Sequence, residues 1–406
     1  MRNVIFVLPF FMDTTLRFVE GTALLPGVRL AVVSQDPADK LPPLLRSRVA
    51  AHRQVENALD SQQILDAVRR LRPQFGAPHR LIGTLEQLQV PLAEARAALG
   101  LPGASVDAAL NFRDKARMKT VLEAAGIPCA RHRLVTEPVH ARELIAATGY
   151  PVVVKPPAGA GASGTFRLGD DRDLAEYLRS HPPRPDRPAL FEEFMSGREY
   201  SFDSVLLDGR MVWYSISRYL PSPLEVLENP WIQWCVHLPR EIETPEFADI
   251  RALAPRALAA LGLENGLSHM EWFHRPDGTV AISEVGARPP GAQFTSLISY
   301  ACEMDFYRAW PRLAVCDEFV VPGRRWSSGA AYLRGQGAGR VQGIDGLDRA
   351  HREIGALVVE ARLPQVGEVQ PGGYEGAGYL ILRHGQSDVV ARGLRRAVEI
   401  IQIRLG

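Results

Sequence analysis

Lysine is the scarce cation of this chain: only four of its 47 basic residues are lysine, at Lys40, Lys115, Lys119 and Lys155. An ammonium is a compact point charge that arginine's planar fork does not copy. Lysines retained in such an arginine-rich sequence therefore mark candidate phosphate contacts, with chance clustering as the bland alternative. Lys155 opens the run Lys155-Pro-Pro-Ala-Gly-Ala-Gly-Ala-Ser-Gly-Thr165, in which Gly159, Gly161 and Gly164 spell G-x-G-x-x-G. A dinucleotide fingerprint would open a helix at such a loop. Here 165–168 reads as a strand and the helix starts near Asp171, so the loop is a flap between two strands. Backbone N–H groups in a flap without side chains can close over phosphates, with the Lys155 ammonium at its base. The competing reading is a plain surface hairpin.

Two acidic segments follow. Glu192-Glu193-Phe194-Met195 leads through Gly197-Arg198 to Glu199. A strand running into a linker can offer backbone hydrogen bonds to an adenine, with an apolar lid from Phe194 and Met195, and Glu199 can accept from ribose hydroxyls. A solvated strand edge is the simpler account of this segment alone. The hairpin over 267–286 says more. A two-residue turn at Asp277-Gly278 sets a register in which Glu271 faces Glu284 and His269 faces Gly286, with Arg288 further along the same face. Directly opposed like charges destabilise a ladder, so this pair calls for a cation or a shared proton. Mg²⁺, held by one or two carboxylates together with nucleotide phosphates, meets that need. A slipped register that exposes one glutamate is the alternative.

The elements that must position these residues follow from periodicity. Apolar runs at 3–8 and 28–34, helical stretches at 61–71 and 89–99 and a short strand near 79–83 form a βαβ alternation, which predicts a small parallel sheet over 1–110. A helix is expected over 113–125, stopped by Gly126 and Pro128, with Lys115 and Lys119 on one face. Strand, helix and strand follow at 132–135, 139–148 and 152–155. The proline-rich stretch 181–188 reads as a linker. Antiparallel strands are expected at 189–194, 199–207 and 211–219, the last two joined at Asp208-Gly209. A helix over 247–261 precedes the hairpin, and the Gly-rich tail ends in a helix over 389–404.

With 406 residues, 46% apolar and 23% charged, the chain can bury a large core. Its net charge of +1 argues against a nucleic-acid coat or a polybasic membrane patch. Cys129, Cys235, Cys302 and Cys316 form no C-x-x-C pair, so free thiols are expected. The apolar run 4–8 is short and broken by Pro9, which fits a first strand better than a leader. The expectation is a cytoplasmic protein without membrane or nucleic-acid partners.

Taken in order and spacing, Lys115, Lys155, the flap, the 192–195 segment with Glu199, and Glu271 with Glu284 resemble the ATP-grasp carboxylate–amine ligases. Ser283-Glu284-Val285-Gly286-Ala287-Arg288-Pro289-Pro290-Gly291 looks like that family's last metal-binding segment. The resemblance implies an α/β chain of the α+β ATP-grasp type. It would have an N-terminal parallel αβ domain (1–110), a small ATP-grasp subdomain with the glycine flap (111–188), a large antiparallel subdomain with the metal site (189–322) and a C-terminal lid (323–406). It implies ATP phosphates on Lys115, Lys155 and the flap residues Gly159, Gly161, Ser163 and Gly164, and an adenine hinge at Glu192, Glu193, Phe194 and Met195. Glu199 would hold the ribose. Two Mg²⁺ (or Mn²⁺) would sit on Glu271 and Glu284, and Arg288, with Lys155 a catalytic residue, would steady the acyl phosphate or the carboxylate. His269 either touches substrate or packs. The family usually carries Asn where this chain has Gly286, which puts the second metal in question.

The activity so implied joins a small carboxylate to an amine through an acyl phosphate, releasing ADP and phosphate. L-Amino acid ligases are the most similar subgroup in layout. A carboxylating or purine-pathway ATP-grasp enzyme, and a nucleotide-binding protein without turnover, remain as alternatives. Many members are dimers, so a homodimer stays open. Trp213, Tyr214, Arg218, Trp231 and Trp234 are candidates for the substrate pocket.

Overall fold

The computed structural model describes the whole chain except residues 160–163, 230–231, 337–338 and 372. The N-terminal unit is a parallel sheet in the order Val49–Gln54, Val28–Ser34, Arg2–Val7, Arg80–Ile82. Its central strands are continuous apolar runs because both faces are covered. Ile5 and Val7 pack with Ile64, Leu71 and Phe75 on one side, and Val4 and Phe6 join Phe18 and Trp310 on the other. The edge strand Val49–Gln54 was not foreseen: its sequence VAAHRQ is half-buried and carries no apolar alternation.

The helix expected over 113–125 is Lys115–Ala124, and a second, unforeseen helix, Val106–Arg113, runs directly before it. Asp114 separates them: its carboxylate accepts from the N–H groups of Ala116 and Arg117 and caps the second helix. Lys115 is thereby the first helical residue, and Lys119 lies one turn on along the same face.

The small antiparallel sheet has the order His132–Val135, Ala189–Glu193, Val152–Lys155, Phe166–Leu168. This corrects the expected boundary at 188. The proline-rich stretch is a turn within this unit, with Arg184 and Arg187 exchanging backbone hydrogen bonds, and the strand after it inserts between two earlier ones. The flap does join two adjacent antiparallel strands, Val152–Lys155 and Phe166–Leu168.

The large sheet has eight strands in the order Val280–Gly286, Gly266–His274, Arg198–Leu207, Arg210–Leu220, Trp234–Leu238, Ser327–Leu333, Gly378–His384, Val358–Arg362. Asp208 and Gly209, both at positive φ (49° and 71°), make the two-residue turn read from the sequence. The tail is not a separate lid. Three of its strands continue this sheet, and its last helix, Ser387–Ile400, packs on them through Val390, Leu394 and Ala397. That helix stops four residues short of the expected end, and Gln402–Leu405 pairs instead with Val341–Asp345. Among the described residues no helix is long and apolar enough to cross a membrane.

Replacing Asp114 with Ala removes the cap that starts the Lys115 helix. We expect a loss of about 1 kcal/mol of stability, measured by urea denaturation.

Candidate functional site

A cleft of about 650 Å³ opens where the three units meet. The small sheet supplies Lys155 and the 192–195 segment, the large sheet Glu199, Glu271 and Glu284, the N-terminal unit Glu86, and the tail Tyr374 and Glu375.

Glu271 is paired with Glu284 and His269 with Gly286, as the sequence register requires. The route differs from the expected one. Arg275 N–H donates to Thr279 O, so the turn is three residues long, 276–278, with Gly278 at φ 84°. From there Trp272 faces Ile282, and a bulge that skips Ser283 restores the pairing of Glu271 with Glu284. Two one-residue offsets cancel.

Each carboxylate of the pair has its own protein cation. Lys115 Nζ lies 2.7 Å from Glu284 Oε1 and donates to Gly159 O at 2.9 Å. His269 Nδ1 lies 2.7 Å from Asp203 Oδ1, and its Nε2 is 3.7 Å from Glu271 Oε1. Burial opposes charge on this imidazole, yet Asp203 and Glu271 outweigh it and raise its pKa to about 9. The Tyr219 hydroxyl donates to Glu271 at 3.2 Å. Burial pushes Glu271 up, but His269, Tyr219 and Lys155 hold it below the ordinary carboxylate range. Half-buried Glu199 goes the other way: desolvation, then the charges of Glu271 and Glu284, lift it well above its usual value against Lys155.

The donor set is hard oxygen on adjacent strands, with the Glu199 carboxyl pushed up by the charges of Glu271 and Glu284 beside it; this suits Mg²⁺. Among the described residues no three His, Cys, Asp or Glu side chains already form a chelating group. The fit is therefore to an ion shared with phosphate rather than caged by protein.

The Glu192 side chain has partners of its own behind the expected backbone hinge. It is buried between two lysines, with Oε2 3.0 Å from Lys155 and Oε1 3.4 Å from Lys119. Both lysines hold it below its usual range against burial. Burial also opposes charge on Lys155, but Glu192 and Glu284 raise its pKa overall, whereas burial wins at Lys119 and lowers it. Glu193 is spoken for by Arg131 (2.8 Å) and Arg275 (3.4 Å). Phe194 and Met195 do line the cleft, and the Arg167 guanidinium sits 4.3 Å over the Phe194 ring. All three side chains line the cleft, where an aromatic base can pack against them.

Gly159 and Gly164 bracket the flap, the latter at φ 71°; Gly161 and Ser163 lie outside the described residues. Arg113 and Lys115 both donate to Gly159 O, so the flap base is tied to the helix that carries Lys115. Arg288 Nε donates to Glu86 Oε2 at 2.5 Å and its Nη1 to Pro289 O at 3.0 Å. A Cβ at Gly286 would sit 3.2 Å from Glu86 Oε2, so the Glu86 carboxylate borders the space a side chain at 286 would enter. The other end of the cleft is aromatic, with Tyr219, Trp234, Phe294 and Tyr374.

Of the pocket candidates, Trp234 lines the cleft, Trp213 is core, and Tyr214 and Arg218 pair with Glu243 and Glu246 away from it. Trp231 lies outside the described residues. Sequence reading missed Glu86, Asp203, Tyr219 and Tyr374 as site residues. It also left out Lys119, although lysine scarcity had pointed to it.

Residues 121–305 match the family model described as D-ala D-ala ligase C-terminus. An uncharacterized protein of Sinorhizobium fredii is 26% identical over 88% of this chain and 75% of its own length. The L-arginine-specific L-amino acid ligase of Bacillus subtilis is 25% identical over 54% of this chain, which spans about half of that protein (53%). Among solved structures, the L-amino acid ligase of Bacillus licheniformis superposes with a TM-score of 0.80 at 20% identity, covering 100% of this chain and 99% of that one. The architecture is the ATP-grasp fold. In this matched region and in its fold the chain is similar to the ATP-grasp carboxylate–amine ligases, enzymes that use ATP and Mg²⁺.

Lys155→Met removes the cleft ammonium and leaves Glu192 to Lys119 alone. We expect at least tenfold weaker ADP binding by calorimetry, in keeping with about 1.5–3 kcal/mol for a charge-assisted contact. Lys40→Met, which breaks an exposed pair with Asp36, should leave affinity unchanged.

Proposed function

We propose that this protein uses ATP to join a small carboxylic acid, an amino acid in the first instance, to an amine through an acyl phosphate. The observation that carries the reading is the convergence of Lys115, Lys155 and Arg288 with the facing pair Glu271 and Glu284 in one cleft. Phosphoryl transfer is chiefly positioning and charge stabilisation, and these groups supply both.

In this reading the base packs against the wall that Phe194, Met195 and Arg167 line. Glu199 meets the ribose, its carboxyl accepting from the ribose hydroxyls. Lys155 and Lys115 contact the phosphates, and the flap closes over them from Gly159 to Gly164. Glu271 and Glu284 would hold Mg²⁺, which when bound supplies neutralising charge between the phosphates. Arg288, its guanidinium plane fixed by Glu86 and Pro289 O, presents the acceptor carboxylate. The acceptor oxygen takes the γ-phosphoryl group and ADP leaves. The amine then attacks the acyl carbon, phosphate departs, and the amine gives up its proton. His269, held as a cation by Asp203, lies beside Glu271 where it can contact the acid. The aromatic end built from Tyr219, Trp234, Phe294 and Tyr374 receives the substrate's apolar part.

The test is product stoichiometry with panels of acids and amines. We expect one ADP and one phosphate per amide, with neither formed unless acid and amine are both present. Hydroxylamine in place of the amine should trap a hydroxamate. Stoichiometric AMP would overturn the acyl-phosphate route, and phosphate release driven by bicarbonate alone would favour a carboxylating enzyme.

A further inference from the structure

The bulge that lets Glu284 face Glu271 has a cost of its own. A bulge leaves its extra residue out of the ladder, here Ser283. A buried backbone carbonyl needs a donor from elsewhere. Lys119 provides one, its Nζ 3.0 Å from Ser283 O. This lysine is 0% exposed and lies behind the cleft wall. Its other partner is Glu192 Oε1 at 3.4 Å, and the second oxygen of that carboxylate holds Lys155. One ammonium thus touches the bulge beside Glu284 and the carboxylate that orients Lys155, and it stands on the helix that begins with Lys115.

The bland account is a structural peg. A buried ion pair is weak evidence for stability, because an apolar side chain of similar volume often serves as well or better. What an apolar side chain cannot do is hold a carbonyl and a carboxylate at fixed distances. Glu192 Oε1 makes no hydrogen bond, so at that oxygen Lys119 acts by charge, while at Ser283 it acts by a directed N–H.

We propose that Lys119 is a positioning residue of the nucleotide–metal site: through Ser283 O it fixes the bulge that aims Glu284 at Glu271, and through Glu192 it sets the Lys155 ammonium. It touches neither nucleotide nor metal itself. The proposal rests on the reading of Glu271 and Glu284 as metal carboxylates.

Two substitutions separate the contacts. Lys119→Met removes both. Lys119→Gln keeps an N–H for Ser283 O but no charge for Glu192. The readouts are Mn²⁺ affinity at saturating ADP, by electron paramagnetic resonance, ADP affinity without metal, by calorimetry, and Tm. Lys119→Met should weaken Mn²⁺ about tenfold, the usual scale for groups that orient metal ligands, and should also weaken ADP, since Glu192 then neutralises Lys155 alone. Lys119→Gln should weaken ADP but keep Mn²⁺ within a factor of about three. A structural peg would lower Tm and leave both affinities alone. Wild-type Mn²⁺ affinity in Lys119→Met, or equal Mn²⁺ losses in both variants, overturns the proposal. Should Lys119→Met fail to fold, Lys119→Gln decides: retained Mn²⁺ with weakened ADP supports the proposal, and any other pattern overturns it. If the wild type binds no Mn²⁺ with ADP, the metal assignment itself fails and takes this inference with it.

Discussion

Two carboxylates facing each other across a ladder are what the rest of this structure has to accommodate. Opposed like charges on neighbouring strands repel, and partial burial strengthens the repulsion because the local dielectric falls. The protein supplies a separate cation to each. Lys115 comes to Glu284 from the start of the helix Lys115–Ala124, and His269 comes to Glu271 from two residues away on the same strand, backed by Asp203 on the next strand. Both cations are on groups that a nucleotide with its metal could displace or share. The charges are thus set in place before any ligand arrives, which is the sense in which the site is preorganised.

Much of this was legible because the chemistry is local. Lys155, the flap and the 192–195 segment lie on adjacent strands of one small sheet, and Glu271 and Glu284 lie on one hairpin. The hairpin shows how such a reading can be right by a different route: the three-residue turn and the bulge at Ser283 each shift the register by one, in opposite directions. A turn type can be argued from Pro276-Asp277-Gly278-Thr279, but nothing in Ile282-Ser283-Glu284 announces a bulge. The domain boundary at 188 failed for a related reason. Prolines mark a turn, and only strand pairing tells whether that turn joins two units or two strands of one.

The residues that were missed are those whose roles depend on contacts distant in sequence. Glu86 meets Arg288 across 202 positions, and its half-buried three-residue turn has no periodicity to read. Gly286 was noticed as a departure from the family pattern. Its physical counterpart is the Glu86 carboxylate, 3.2 Å from where a Cβ would stand. The N-terminal unit is thus part of the cleft wall at Arg288 and not merely a neighbour of it. Lys119 was passed over because helical spacing suggested only that it shared a face with Lys115, while its partners sit on two different sheets.

The two ends of the cleft differ in how freely they can change. At the charged end the ion pairs are linked to one another, so altering one charge weakens the pairing of the next, and a buried partner left wholly unpaired costs several kcal/mol. At the aromatic end the rings serve the core as well as the cavity. Trp234 stacks on Tyr332 at 4.6 Å and meets Tyr374 edge-on at 4.5 Å, and Tyr219 packs against both Trp234 and Phe294. Reshaping that wall through Trp234 would open the core between two sheet strands. Tyr374 differs: it belongs to the connection between Val358–Arg362 and Gly378–His384, is itself only half-buried, and makes its ring contact from outside the sheet. At Tyr374 the wall can change with the smallest loss of packing, which sets the adaptable rim of the cleft on a tail connection and its coupled charges on the hairpin.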